Sequence, residues 1–194
     1  MHKLSHAHLL SLEAYAKARP EMRAQVIAHK KNRSLALGEH VTLIFEDEIT
    51  IRYQIQEMLR AERIYEEVGI QDELDAYNPL IPDGSNWKAT LLLEYPDVVQ
   101  RQAMLVRLKG IEDHLWVQVA ERPKIYAFAD EDMERANAEK TSAVHFMRIE
   151  FDSASLSAIK AGAAISIGID HPHYQVQLST LPENIRNALV KDLS

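Results

Sequence analysis

Apolar positions recur at helical intervals through most of the N-terminal third of the chain and then alternate in the manner of strands. Ser5 is placed to cap a helix reaching Lys17, with Leu9, Leu12 and Ala16 on one face, and Pro20 to open a second helix reaching Lys31. A third helix is predicted over residues 48–67, with Ile51, Ile55, Met58, Leu59 and Tyr65 in one stripe and Gly69 as its stop. Shorter helices are predicted over 71–76, 97–110 and 153–162. Thr180 and Glu183 form a capping box for the last one. Residues 35–37 and 41–45 flank Gly38 and read as a hairpin. Period-two alternation marks further strands near 90–95, 115–119, 125–128, 145–151, 165–170 and 174–178. The predicted class is α+β: a helical N-terminal third, then a mostly antiparallel or mixed sheet packed with helices, in one domain over residues 1–194.

Composition narrows the chemistry. Cysteine is absent, which excludes a disulfide framework, a thiolate nucleophile and any cysteine-ligated zinc or iron–sulfur centre. No glycine-rich dinucleotide or phosphate loop, no nucleophile-elbow serine and no His-Glu-x-x-His pattern occurs. Nor does any Glu-x-x-His pair of the di-iron bundles. The longest apolar stretch, 161–169, is about half of the roughly 18 residues that a spanning helix needs. The N-terminus shows no export-signal pattern. A soluble, cytoplasmic protein without membrane contact is expected. The net charge of −7 is uneven: residues 1–34 hold seven Lys and Arg against two acids, and residues 39–77 hold eleven acids against three Arg. An acidic chain with only a small basic cluster does not suit nucleic acid.

Three groups of residues are candidates for chemistry. Residues 77–88 put two prolines and a Pro-Asp-Gly turn beside Tyr77, Asn78, Asp83, Asn86, Trp87 and Lys88. Such a stiff loop either holds polar groups at a pocket or is a crossover whose polar groups satisfy local backbone. An enzyme built there would use Asp83 or His145 as general acid or base and Lys88 or Arg33 to hold an anion, with Asn78, Asn86, Tyr77 and Trp87 in the binding surface. The basic cluster of His29, Lys30, Lys31 and Arg33 either binds a small anionic ligand or offsets a helix C-terminal dipole. Asp170 and His171 are metal-ligand types at a strand end, but they need a distant third ligand such as His114 or His145. Glu57, Glu62, Glu66 and Glu67 are expected to pair with Arg60 and Arg63 along the third helix. No cofactor is called for.

The segments AHKKNRSLALG, FEDEITIRYQIQEMLRAERI and GIQDELDAYNPLIPDGSNWKATLLLEYPD resemble the bacterial family known as domain of unknown function 3501. GIEDHLWVQV, EKTSAVHF and GIDHP continue the likeness over nearly the whole chain, while His173 falls outside the family pattern. The resemblance implies no activity and no catalytic residues. It implies a context beside rubrerythrin-like proteins and iron–sulfur oxidoreductase subunits, in which this chain would be an accessory or binding component of a redox or oxidative-stress system.

Overall fold

The computed structural model describes residues 3–129 and 140–194. Among these residues the order is α1 (Leu12–Lys30), β1 (Ser34–Ala36), β2 (Val41–Phe45), α2 (Glu48–Glu62), α3 (Glu67–Tyr77) and β3 (Asn86–Leu93). Then follow α4 (Val98–Arg107), β4 (Leu115–Val119), β5 (Ile125–Tyr126), β6 (Phe128–Ala129), β7 (Val144–Glu150), α5 (Ser153–Lys160), β8 (Ile165–His171), β9 (Tyr174–Leu178) and α6 (Glu183–Leu189). The class is α+β, as the alternating strands require.

The strands form two sheets, ordered β1-β2-β3-β7-β6 and β5-β4-β8-β9, and every pairing is antiparallel. Their inner faces share one core. Phe45, Trp87, Leu91, Met147 and Ile149 of the first sheet belong to the same cluster as Leu115, Val117, Ile167 and Ile169 of the second. Ala127 separates β5 from β6, so a single residue carries the chain from one sheet to the other.

The outer face of the five-stranded sheet is also covered. Ile51, Ile55 and Leu59 of α2 form a second apolar cluster with Leu74, Leu80 and Ile81, and Phe146 of β7 packs against it. That cover explains why β3 is buried along nearly its whole length instead of alternating. Helix α1 lies against α2, and Arg19 and Tyr15 both reach Glu57 across the contact.

Several helix ends depart from the expectations. Ser5 opens only a short 3-10 turn, His6–His8, and α1 starts after Ser11, whose hydroxyl accepts from the Ala14 N–H. Pro20 does not start a new helix but sits inside α1 at an exposed position, where its ring meets solvent. Helix α2 stops earlier than Gly69. Arg63 takes the left-handed conformation at φ 58°, and the Ile64 N–H returns to the Leu59 carbonyl. Gly69 instead lies inside α3, where a Cβ would come within 2.7 Å of Ile64. Helix α6 is preceded by Pro182 with no side-chain cap, so the Thr180–Glu183 box does not form.

Candidate functional site

The residues predicted to act together are distributed along the whole of β3 and β7. Asn86 pairs with Glu150 at one end of the ladder and Leu91 with His145 near the other. Five strand residues span about 17 Å. Asp83, beyond the first end, is a turn former: its carboxylate accepts from the Ser85 N–H at 2.9 Å and the Ser85 hydroxyl at 2.7 Å. His145, near the other end, is buried with its Nε2 2.9 Å from the Thr141 hydroxyl and 3.7 Å from Glu112. Lys88 is buried between the two ends, opposite Arg148. The structure therefore does not bring Asp83, Lys88 and His145 to one place.

The neighbours of these residues serve the fold. The Trp87 indole is fully buried, edge-on to Phe151 at 4.7 Å, and donates its N–H to the Leu189 carbonyl at 3.0 Å. Asn78 accepts from the Leu4 N–H at 2.7 Å and donates to the Leu4 carbonyl at 3.0 Å, tying down the N-terminal segment. Asn86 accepts from the Asp83 N–H at 3.2 Å. Lys31 is exposed.

Arg33 of the basic cluster is buried and already paired. Its guanidinium donates to the Phe45 and Glu46 carbonyls at 2.9 and 3.0 Å and grips Asp192 near the C-terminus. His29 lies 2.6 Å from Asp47. Asp47 also caps α2, accepting from the Thr50 N–H at 3.0 Å. These groups wall a cavity of about 490 Å³ between α1, the start of α2 and the C-terminal turn. Burial pushes the Asp192 carboxyl up to about 6 although Arg33 pulls the other way.

Asp170 and His171 are similarly engaged. Asp170 accepts from Lys124 at 2.9 Å and from the Tyr126 hydroxyl at 2.7 Å, and its other oxygen lies 3.2 Å from His114. The His171 Nε2 meets the Lys109 carbonyl at 3.2 Å, its Nδ1 accepts from the His173 N–H, and burial depresses its pKa. Among the described residues no three His, Asp or Glu side chains gather as a metal-ligand set.

One cavity joins two predicted residues to polar groups that are not consumed internally. About 300 Å³ in volume, it lies between α2 and the outer face of the five-stranded sheet. Lys30, in the last turn of α1, and Tyr77, at the end of α3, line it together with Gln54 of α2. The Lys30 ammonium, the Tyr77 hydroxyl and the Gln54 amide make no hydrogen bond or ion pair with the described residues. Glu46, which sequence reasoning missed, is 7% exposed and supplies the cavity with a carboxylate. Its two oxygens accept from the hydroxyls of Thr50 at 2.5 Å and Thr90 at 2.6 Å. Ile51, Leu80 and Phe146 provide apolar wall.

Glu46 was legible only in part. It directly follows an alternating strand whose inward residues are Val41, Leu43 and Phe45, so it points outward, where a carboxylate is ordinarily solvated. It is buried because α2 folds across that face. Thr50, four residues on, and Thr90, on the facing strand, are the local polar signal that marks it.

No curated protein matches the chain. A crystal structure of a novel protein of unknown function from Burkholderia pseudomallei K96243 is 54% identical, covers 100% of both chains and superposes with a TM-score of 0.95. Neither this likeness nor the family match below carries an activity, a rubrerythrin or an iron–sulfur partner. No helix among the described residues is long and apolar enough to cross a membrane. The model of the family described as protein of unknown function DUF3501 matches residues 3–193, and the chain belongs to that family.

Proposed function

We propose that this protein binds a small metabolite carrying an acidic group in the cavity between α2 and the outer face of the five-stranded sheet. The single observation that supports this reading is the convergence of three side-chain ends without internal partners, Lys30, Gln54 and Tyr77, on one partly enclosed space of about 300 Å³. That volume lies at the lower end of the range of small-molecule sites, and a few polar groups on largely apolar walls are their usual make-up. Lys30 supplies the counter-charge. The Gln54 amide and the Tyr77 hydroxyl supply directional hydrogen bonds.

The larger cavity is a weaker candidate because His29, Arg33, Asp47 and Asp192 already satisfy one another there. An acid–base enzyme using Asp83, Lys88 and His145 lacks a common place for them. A metal at Asp170 and His171 would have to displace Lys124, Tyr126 and the Lys109 carbonyl. An accessory role beside a rubrerythrin-like or iron–sulfur protein rests on the family resemblance, and a ligand-binding module is compatible with it.

The test is thermal unfolding with a panel of small carboxylates. A ligand at 100 times its Kd stabilises by about 2.7 kcal/mol, roughly 5 °C or more in a chain of this size. At least one carboxylate raises Tm in the wild type, and the rise is lost in Lys30→Met. No rise with any member, or an equal rise in Lys30→Met, overturns the reading.

A further inference from the structure

We infer that the ligand of this cavity is a monocarboxylic acid with an unsubstituted apolar body, its carboxylate held by Lys30, Gln54 and Tyr77 and its body laid along the sheet toward Val144. The inference rests on the binding reading above and adds the class of acid.

The sheet sets the direction of the body. On its outer face, residues opposite one another in the ladders form rows across the strands. Lys88 and Arg148 face each other in one row, which Glu46 extends, its N–H donating to the Lys88 carbonyl at 2.8 Å. The next row is Ile44, Thr90 and Phe146, and the one beyond it is Thr42, Leu92 and Val144. The charged groups therefore stand at one side of the cavity floor. Two residues along each strand, about 7 Å away, the floor is apolar apart from Thr90, whose hydroxyl donates back to Glu46 at 2.6 Å. Ile44, Phe146 and Val144 line the cavity on this side of the charged row, and Ile51 and Leu80 complete its apolar wall.

The balance of charge decides between acidic groups. Lys30 is the sole cation among the described residues that line the cavity. The charged row adds no net cation, because Glu46 and Lys88 carry opposite charges and Arg148 is paired with Glu150 at 2.7 Å. One ammonium matches one carboxylate, whose two oxygens also accept from the Gln54 amide and the Tyr77 hydroxyl. A dicarboxylate or a phosphate dianion brings a second negative charge into a partly enclosed space with no second cation to meet it, and that charge loses water uncompensated. A hydroxylated body fails for the same reason against the apolar wall. At the roughly 30 Å³ that a water molecule takes up in the liquid, the space of about 300 Å³ has room for on the order of ten non-hydrogen atoms. Hexanoate fits within that limit.

The experiment titrates four probes into the intact protein at pH 8, followed by two-dimensional NMR of the backbone amides. Hexanoate carries one carboxylate on a pentyl body. Butanoate has the same carboxylate and two methylenes fewer. Adipate keeps the six-carbon chain and ends in a second carboxylate. Pentyl phosphate keeps the pentyl body under a dianion. The expected result is that hexanoate shifts the amides of Gln54, Tyr77 and Val144 and binds at least tenfold more tightly than each of the others, each buried methylene being worth a factor of about four. In Lys30→Met, hexanoate binding falls at least tenfold. If adipate, pentyl phosphate or butanoate binds the wild type as tightly as hexanoate, the monocarboxylate inference is overturned and the acidic-ligand reading stands. If none of the four shifts these amides at millimolar concentration, or if Lys30→Met binds hexanoate as the wild type does, both are overturned. The probes are compared on the wild type, so the class of acid is decided even where Lys30→Met does not fold.

Discussion

The Arg19 guanidinium grips both oxygens of Glu57, at 2.7 and 2.8 Å, and the Tyr15 hydroxyl donates to one of them at 2.6 Å. This contact fastens α1 to α2, and α2 in turn forms one side of the cavity. Arg19 holds the Glu57 carboxyl well below its usual range, at about 2, while burial pushes the Tyr15 phenol up. A carboxyl whose folded pKa lies below its unfolded value of about 4.5 contributes stability above that value. The contribution is lost as the pH falls through about 2. Glu57→Gln should therefore cost about 2 kcal/mol at pH 7, and the difference from wild type should shrink progressively below pH 4. Urea unfolding of the two proteins at pH 7 and pH 3 checks this.

Asp192 has the opposite sign. Burial raises its folded pKa to about 6 from an unfolded value of 3.8. The folded protein therefore holds a proton there between those values that the unfolded chain has released. The resulting stabilisation is full below pH 3.8 and is lost as the pH rises through about 6. Between pH 8 and pH 5 the urea midpoint of the wild type should rise relative to that of Asp192→Asn. Parallel profiles for the two proteins would contradict the assignment.

Gly168 on β8 is required for close approach. A Cβ there would lie 2.5 Å from the Val176 carbonyl and 2.6 Å from the Trp116 ring. Gly168→Ala should lose about 2 kcal/mol or more, with a change in tryptophan fluorescence as Trp116 moves. Gly110→Ala has open space but a φ of +83°, and it should cost about 1 kcal/mol with no change in fluorescence.

Asp83→Ala should weaken the turn before β3 and leave ligand binding at the cavity unchanged, because Asp83 bonds to Ser85 and Asn86 and does not line that space. Calorimetry with the small carboxylate that raises Tm most, on Asp83→Ala and on Lys30→Met, should separate the two: unchanged affinity in the first, at least tenfold loss in the second.

Local patterns made much of the fold legible. Alternation placed β2, β7 and β8, and Gly38 marked the β1–β2 turn. Side chains that depend on partners distant in sequence were less legible. Glu57 does pair along its own helix with Arg60, at 3.4 Å. Its shortest bonds, which local spacing does not show, go to Arg19 and Tyr15, because α1 continues through Pro20 and lies alongside α2. Arg33 had the composition of an anion-binding residue, but its carboxylate partner Asp192 comes from the far end of the chain. In the site itself, Lys30 and Tyr77 stood out as basic and aromatic residues near element ends. Glu46 did not, because its burial is a property of the α2-on-sheet packing.

The most direct measurement is a crystal structure of the protein grown with the small carboxylate that raises Tm most. The account predicts density in the cavity between α2 and the five-stranded sheet, with the ligand's carboxylate within reach of Lys30, Gln54 and Tyr77. Density for the carboxylate elsewhere, or a cavity holding only water at a saturating concentration of it, would contradict it.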